Sequence, residues 1–176
     1  AYGNQMTEPE FPSEFLSVMA RMGARPDLVD ASKGHVNVNQ HLTSHGIIRI
    51  APLMLLADTV VGMRLESFVE DWTFTTDFSF RRAEIATSQH IEANSSILRH
   101  GKRLMIEELE YIDENDTSIG HAQITFMRTP LREGEVKPDI AQIRERMGSL
   151  ELPPLDQPVE ELAGIIISDA ATGKVT

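Results

Sequence analysis

The sequence predicts an α+β fold in which a curved antiparallel β-sheet wraps one long central helix. The first observation is an almost wholly apolar segment at residues 50–63, which as a helix must be covered by protein on most sides. The second is a series of strand-like segments after it, separated by short turns rather than by helices. A parallel sheet would need a crossover helix between successive strands, so the pattern favours antiparallel pairing.

Composition narrows the class of protein. The chain has 176 residues, of which 41% are hydrophobic, enough for one domain with a packed core. It has no cysteine, which excludes disulfides, zinc–thiolate sites and cysteine nucleophiles. A net charge of −11 argues against general nucleic-acid binding, which needs a basic face. No signal-like or membrane-spanning segment stands out, so we expect a soluble cytoplasmic protein without membrane partners.

The elements follow in order along the chain. Residues 1–22 read as a polar extension that ends in a short helix, and a strand is expected near 35–42. The central helix is predicted at about 50–67 and should be the most buried element. Pro52 suits its first turn, where the missing N–H would have no intrahelical partner.

The segment after the central helix alternates as a strand does. Its aromatic residues fall on one predicted face and its small polar residues on the other. We expect the aromatic face to be buried against the helix, through Trp72, Phe74, Phe78 and Phe80. Further strands are predicted at 89–98, 103–111 and 119–128, joined by turns at 100–102 and 113–117. The four strands would form an antiparallel meander.

Asp58 is the only charged residue between Arg49 and Arg64. Burying a lone carboxylate costs free energy unless the group is hydrogen-bonded or protonated. Asp58 is therefore either a catalytic carboxylate or a structural one bonded to a neighbouring backbone or hydroxyl group.

Four segments, in this order and spacing, resemble hotdog-fold acyl-CoA thioesterases of the phenylacetyl-CoA type: residues 55–62, 75–82, 97–104 and 119–126. The resemblance implies a hotdog fold, with a helix gripped by a curved sheet. It also implies that two such units pair edge to edge, as a homo-oligomer or in tandem, and bind acyl-CoA between them. Coenzyme A would enter as part of the substrate, and no other cofactor is implied.

The resemblance also implies site residues. Asp58 matches a helix carboxylate that acts on the thioester as general base or nucleophile, and Thr75 matches a hydroxyl that positions the attacking water. Backbone N–H groups at the helix start, near Ile50, would hold the oxyanion. Many active members carry His-Gly-Gly there, where this chain has Arg49-Ile-Ala51; Arg49 could act as the electrophile, and His45-Gly46 could stand in only through a shifted register. The alternative is a non-catalytic acyl-CoA-binding or scaffolding unit.

Basic residues concentrate at two points of this acidic chain. They are expected to bind the phosphates of coenzyme A, whose negative charges suit such clusters. The alternative is an ordinary solvated hairpin turn. The residues proposed for this role are Arg82, Arg99, His100, Gly101 and Lys102.

No metal site is expected. His41 and His45 lack the glutamate-bearing zinc helix motif. Glu107, Glu108 and Glu110 read as a solvated strand edge that opposes aggregation.

The C-terminal third suggests a second unit. A short helix with Ile140, Ile143 and Met147 on one face precedes a proline-stiffened linker. Residues 169–175 share Asp, Ala, Gly and Val with residues 30–36, which suggests the start of another hotdog unit. The predicted organisation is an extension at 1–22, a hotdog domain at 23–130, a helix and linker at 131–158, and the start of a second unit at 159–176.

Overall fold

One long helix and a six-stranded antiparallel sheet form the body of the protein over residues 18–84 and 88–162, which this computed structural model describes. Three helices lie wholly within the described ranges, α1 (Ile50–Glu66), α2 (Ile140–Ser149) and α3 (Val159–Leu162). Residues 18–21 are also helical, and a 3-10 turn lies at Gln40–Leu42. The strands are β1 (Ala24–Pro26), β2 (Lys33–Asn37), β3 (Thr43–Ser44), β4 (Ile47–Ile48), β5 (Trp72–Arg82), β6 (His90–His100), β7 (Leu104–Asp113) and β8 (Ser118–Thr129).

The large sheet has the strand order β1-β2-β6-β7-β8-β5, and all its neighbouring strands are antiparallel. Helix α1 packs against one face and ends one residue before its predicted end. Its core-facing side chains are almost fully covered: Leu53, Leu56, Ala57, Val60, Val61 and Leu65. The predicted α+β fold, with a central helix wrapped by an antiparallel sheet, is confirmed. Within the described ranges, no helix is long and apolar enough to cross a lipid bilayer.

Strand β7 shows how the sheet packs against α1. Alternate residues of this strand, Met105, Leu109 and Tyr111, are buried on the helix side. The Tyr111 hydroxyl donates to the backbone oxygen of Leu53 on α1 at 2.9 Å, so its polar tip is satisfied inside the core. Burial raises the pKa of Tyr111 above its ordinary value, which keeps this hydroxyl a donor.

The predicted four-strand meander is wrong in the position of β5. Strands β6, β7 and β8 follow one another as expected, but β5 pairs with β8 at the far edge of the sheet rather than with β6. Most residues of β5 are exposed or half-buried, which suits an edge strand. Strands β7 and β8 bury every second residue on the helix side over most of their length, which suits the middle of the sheet.

The predicted aromatic face of β5 is wrong in part, because Phe78 and Phe80 pack against the core but Phe74 does not. The pairing with β8 slips between Thr75 and Asp77, because a β-bulge adds one residue to β5. Such a slip moves every later side chain to the other face. Thr75 therefore shares the helix-facing side with Phe78 and Phe80, whereas Phe74 lies on the opposite side. At the start of the strand, the Trp72 ring lies 5.8 Å from Lys137 Nζ. Phe74 is 52% exposed.

Glu107 does not belong to a solvated edge, contrary to the prediction. Its side chain is completely buried, whereas Glu108 and Glu110 are exposed. Arg64 Nη1 lies 3.0 Å from Glu107 Oε2, and His100 Nε2 lies 3.2 Å from Oε1. The Arg64 guanidinium therefore compensates the charge of this carboxylate inside the protein, and the His100 ring forms a second polar contact with it.

The segment after the sheet packs against it. Asp139 caps α2 by accepting from the N–H groups of Ala141 and Gln142, and the helix buries its apolar face through Ile143 and Met147. The predicted linker also contacts the body, because Leu155 is buried and its N–H donates to the Arg21 oxygen at 3.2 Å. Residues 1–17 of the predicted extension lie outside the described residues. Residues 163–176, most of the predicted second unit, also lie outside them.

Gly62 lies in the interior of α1, where packing does not require a glycine. A Cβ atom there would meet only ring atoms of Phe126 at 3.7 Å, an ordinary contact. We expect Gly62→Ala to raise the free energy of unfolding by about 0.5–1 kcal/mol, because alanine loses less backbone entropy in a helix. Urea unfolding measures this change. Gly34→Ala is the matched control and should destabilise, since its Cβ would lie 2.5 Å from Val60 Cγ2. A loss of stability in Gly62→Ala would contradict this packing.

Candidate functional site

Asp58 and Thr75 meet between α1 and β5. The Thr75 hydroxyl donates to Asp58 Oδ1 in a close contact, and the carboxylate is half-buried. The bulge in β5 produces this contact, because the pairing of Thr75 with Phe126 turns it toward the helix. The lone carboxylate of the apolar helix is thus oriented by a hydroxyl and still reachable from solvent. This arrangement suits a group that exchanges protons with a bound water.

Two clefts meet at this pair. The first, which we call the α2 cleft, has a volume of about 350 Å³. Its walls are α1 from Asp58 to Glu66, β5 from Trp72 to Thr75, Phe126 of β8, and the segment from Pro138 to Ile143. The second, which we call the N-terminal cleft, has a volume of about 360 Å³. Its lining is otherwise apolar: Ala51, Met54, Leu55, Phe78 and Ile124. Asp58 and Thr75 therefore lie on a wall that both clefts share.

The start of α1 lies away from Asp58. The Arg49 N–H donates to the Leu42 oxygen at 2.9 Å, and Ile50 is the first helical residue. Its N–H belongs to the first turn, where such groups have no intrahelical acceptor. Asp58 follows more than two turns later, about 12 Å along the axis. The Ile50 N–H and the Asp58 carboxylate of one chain therefore cannot both contact the same thioester group.

His45 and Gly46 do not replace the His-Gly-Gly segment. Both residues have positive φ angles, 52° and 77°, and they form the two-residue turn between β3 and β4. This backbone conformation is typical of tight hairpin turns, which favour glycine. The shifted register that would bring them to the helix start is not present.

The predicted coenzyme A residues do not form one cluster within the chain. Arg99 and Lys102 are exposed on the β6–β7 hairpin, and the Gly101 N–H closes it by donating to the Leu104 oxygen at 2.9 Å. His100 turns inward to Glu107, and its ring stacks on Phe68 with centroids 5.2 Å apart.

Arg82 lies at the other end of the sheet. Arg82 pairs with Gly120 of β8. The β6–β7 hairpin instead lies at the level of Phe74, because Leu104 pairs with Met127 and Met127 pairs with Phe74. Eight residues of β5 separate Phe74 from Arg82, a distance of about 25 Å along the strand. The Arg82 guanidinium donates to the Ile48 oxygen at 2.8 Å, so in this chain it holds β4 in place before α1. A role for these residues in binding coenzyme A stays a prediction.

Sequence reasoning missed a polar cluster at the far end of the α2 cleft. Glu66 Oε1 accepts from the N–H of Thr73 at 2.6 Å and from its hydroxyl at 2.5 Å. The other carboxylate oxygen forms an ion pair with Lys137, whose ammonium also donates to the backbone oxygens of Val69 and Asp71 at 2.8 and 2.9 Å. The position of Glu66 two turns after Asp58 was a usable signal, but Lys137 is distant in sequence. Among the described residues, no cluster of three or more histidines and carboxylates could hold a metal ion.

No family model matches the chain, and no curated protein does. Solved structures do match. A thioesterase from Haemophilus influenzae is 12% identical with a TM-score of 0.61, over 73% of this chain and 98% of that one. A thioesterase from Pseudomonas aeruginosa, solved as a mutant, is 12% identical with a TM-score of 0.60, over 72% and 98%. A Bacillus halodurans protein solved with CoA is 12% identical with a TM-score of 0.52, over 56% and 67%.

At these identities the likeness concerns the backbone. Two of the matching chains are covered almost completely, so the shared part is a whole domain rather than a local motif. This chain therefore has the hotdog fold of these thioesterases.

Proposed function

We propose that this protein is an acyl-CoA thioesterase that uses Asp58 to hydrolyse the thioester. The observation that carries the proposal is the contact of the Thr75 hydroxyl with Asp58 on the wall shared by two clefts. The thioesterases with the same fold, and the related structure that contains CoA, support it.

The chemistry follows from the two side chains. Thr75 holds Asp58 Oδ1, and Oδ2 is the oxygen that takes a proton from water. The hydroxide equivalent adds to the thioester carbon, and the carbonyl electrons move to oxygen. Collapse of this oxyanion breaks the carbon–sulfur bond, and the proton passes to the leaving sulfur. As a nucleophile, Asp58 would instead form a mixed anhydride and release the thiolate, and water would then hydrolyse the anhydride.

A complete site needs a second hotdog unit in this proposal. The Ile50 N–H is too far from Asp58 of the same chain, so a helix start from another unit supplies the oxyanion donor. Strand β5 offers an edge of 11 residues, and Ile50 and Met54 leave an apolar surface at 45% and 41% exposure. Both features suit a pairing surface, in a homodimer or in a tandem protein.

We expect light scattering to give the mass of two chains at micromolar concentration. Burial of the exposed β5 edge and of the apolar start of α1 stabilises the pair. Measurement from micromolar to millimolar protein concentration shows whether the fraction of paired chains increases with concentration. A single-chain mass over the whole range would contradict the pairing.

For the phosphates of coenzyme A, we propose the β6–β7 hairpin as the first contact. Arg99 and Lys102 are exposed cations in a protein of net charge −11, and the turn at Gly101 keeps them close together. His100 and Arg82 already bond within the chain, so their contribution to this binding is secondary.

The alternative is an acyl-CoA-binding unit without catalysis. The side chain of Ile50 favours it, because a branched residue stands at the helix start where many relatives of this type carry glycine. Acyl-CoA binding without release of free thiol is the result that would establish this alternative.

A further inference from the structure

The α2 cleft runs as a channel from the Asp58–Thr75 pair to the Glu66–Lys137 ion pair. Two independent elements measure its length. From Asp58 to Glu66 the helix advances about 12 Å, and from Thr75 to Trp72 the strand covers about 10 Å. The two lengths agree, because α1 and β5 both extend from the Asp58–Thr75 pair to the Glu66–Lys137 ion pair.

Gly62 occupies the middle of the α1 wall, one turn from Asp58 and one turn from Glu66. A glycine inside a helix is unfavourable, and here a Cβ would clash with nothing. Contacts with Phe126 therefore do not require a glycine at this position, and the absence of a side chain instead leaves space open beside the helix. That space is the channel, which would be obstructed at half its length by a larger residue.

The closed end of the channel does not offer a binding partner for a charged group. Lys137 donates to backbone oxygens and contacts Glu66, and Glu66 also accepts twice from Thr73. These groups satisfy one another, and a second carboxylate there would face that of Glu66. The remaining lining is mainly apolar, including Met63, Phe126, Ile140 and Ile143.

We propose, resting on the thioesterase function above, that the α2 cleft binds the acyl group and selects linear, neutral-ended chains of medium length. A channel of 10–12 Å holds about eight to ten carbons in an extended chain. The closing ion pair sets the upper limit, and Gly62 keeps the middle open.

The first test is the chain-length profile of Gly62→Leu against wild type, from acetyl-CoA to palmitoyl-CoA. For the variant we expect kcat/KM with decanoyl-CoA to fall about 10- to 200-fold, and with butyryl-CoA to stay within about twofold of wild type. Glu108→Leu, at an exposed position on the outer side of the sheet, is the matched control and should keep the wild-type profile. Leucine is a good helix former, and thermal unfolding verifies that the variant is folded. An unchanged profile in folded Gly62→Leu would overturn the proposal.

The second test does not require turnover. Trp72 is the single tryptophan of the chain, and it lines the far part of the channel. Bromine quenches indole fluorescence on contact, so ω-bromodecanoyl-CoA should quench Trp72, and ω-bromobutyryl-CoA should not. Gly62→Leu should abolish the quenching. Length-dependent quenching without hydrolysis would reject the thioesterase function and keep the acyl channel. Hydrolysis without such quenching would keep the function and reject the channel.

Discussion

Asp58→Asn is expected to lower kcat for acyl-CoA hydrolysis at least about 100-fold, because asparagine keeps the shape of the side chain and removes the base. The Thr75 hydroxyl can still donate to the amide oxygen, so the local geometry should survive. The measurement is the release of free thiol from short, medium, long and aryl acyl-CoAs by purified wild type and variant. Thermal unfolding of both proteins separates catalysis from stability.

Two further variants sharpen this experiment. Glu108→Gln removes an exposed carboxylate on the outer side of the sheet, and its rates should equal those of wild type. Thr75→Val keeps the volume and removes the donor, so it should reduce the rate less than Asp58→Asn does. If Asp58→Asn retains wild-type rates, or wild type hydrolyses none of these substrates, Asp58 is not the catalytic base and the binding-unit alternative stands.

Glu107→Ala is expected to lower the free energy of unfolding by about 3–5 kcal/mol. The substitution leaves the guanidinium of Arg64, only 20% exposed, without its carboxylate, and it removes the acceptor of His100. A buried charge without its partner costs far more than the pair contributes. Urea unfolding at pH 7 measures the loss, and Glu108→Ala, one position along the same strand, should stay within about 0.5 kcal/mol.

The double variant Arg64→Met, Glu107→Met separates the contribution of the ion pair from the cost of leaving one buried charge without its partner. Replacing both charges by apolar side chains removes the ion pair as a whole, and only the part-exposed His100 loses its carboxylate partner. The stability of the double variant should therefore lie within about 1–2 kcal/mol of wild type, although each single change is damaging. If the double variant loses as much as the two single variants together, the carboxylate is not stabilised chiefly by Arg64.

The sequence alone predicts the elements from α1 to β8 closely, whereas the strand expected near 35–42 is β2 at Lys33–Asn37, followed by a 3-10 turn at Gln40–Leu42. The predicted helix at 50–67 and the observed α1 differ by one residue, and the strands predicted at 103–111 and 119–128 correspond to β7 and β8. These predictions succeed because they depend on local signals. A continuous apolar segment, a proline in the first turn and period-two alternation are all properties of neighbouring residues.

The candidate site was only partly predictable. Asp58 stands out because a single charge in an apolar helix is conspicuous without knowledge of its surroundings. Its contact with Thr75 depends on the bulge in β5, which the alternation of aromatic and polar residues, interrupted only at Thr76, conceals. The sequence pattern places Thr75 on the face opposite Phe78, whereas the extra residue brings them to the same face.

By itself, therefore, the sequence determined the order and type of the elements from α1 to β8, the antiparallel α+β architecture and the unusual carboxylate of α1. Only the tertiary structure decided that β5 joins β8, that Glu107 is buried while Glu108 is not, and that Lys137 forms an ion pair with Glu66. Local propensity and periodicity act over a few residues. The cost of burying a charge depends instead on partners brought together by the whole sheet, such as Arg64 for Glu107, and no local pattern records those partners.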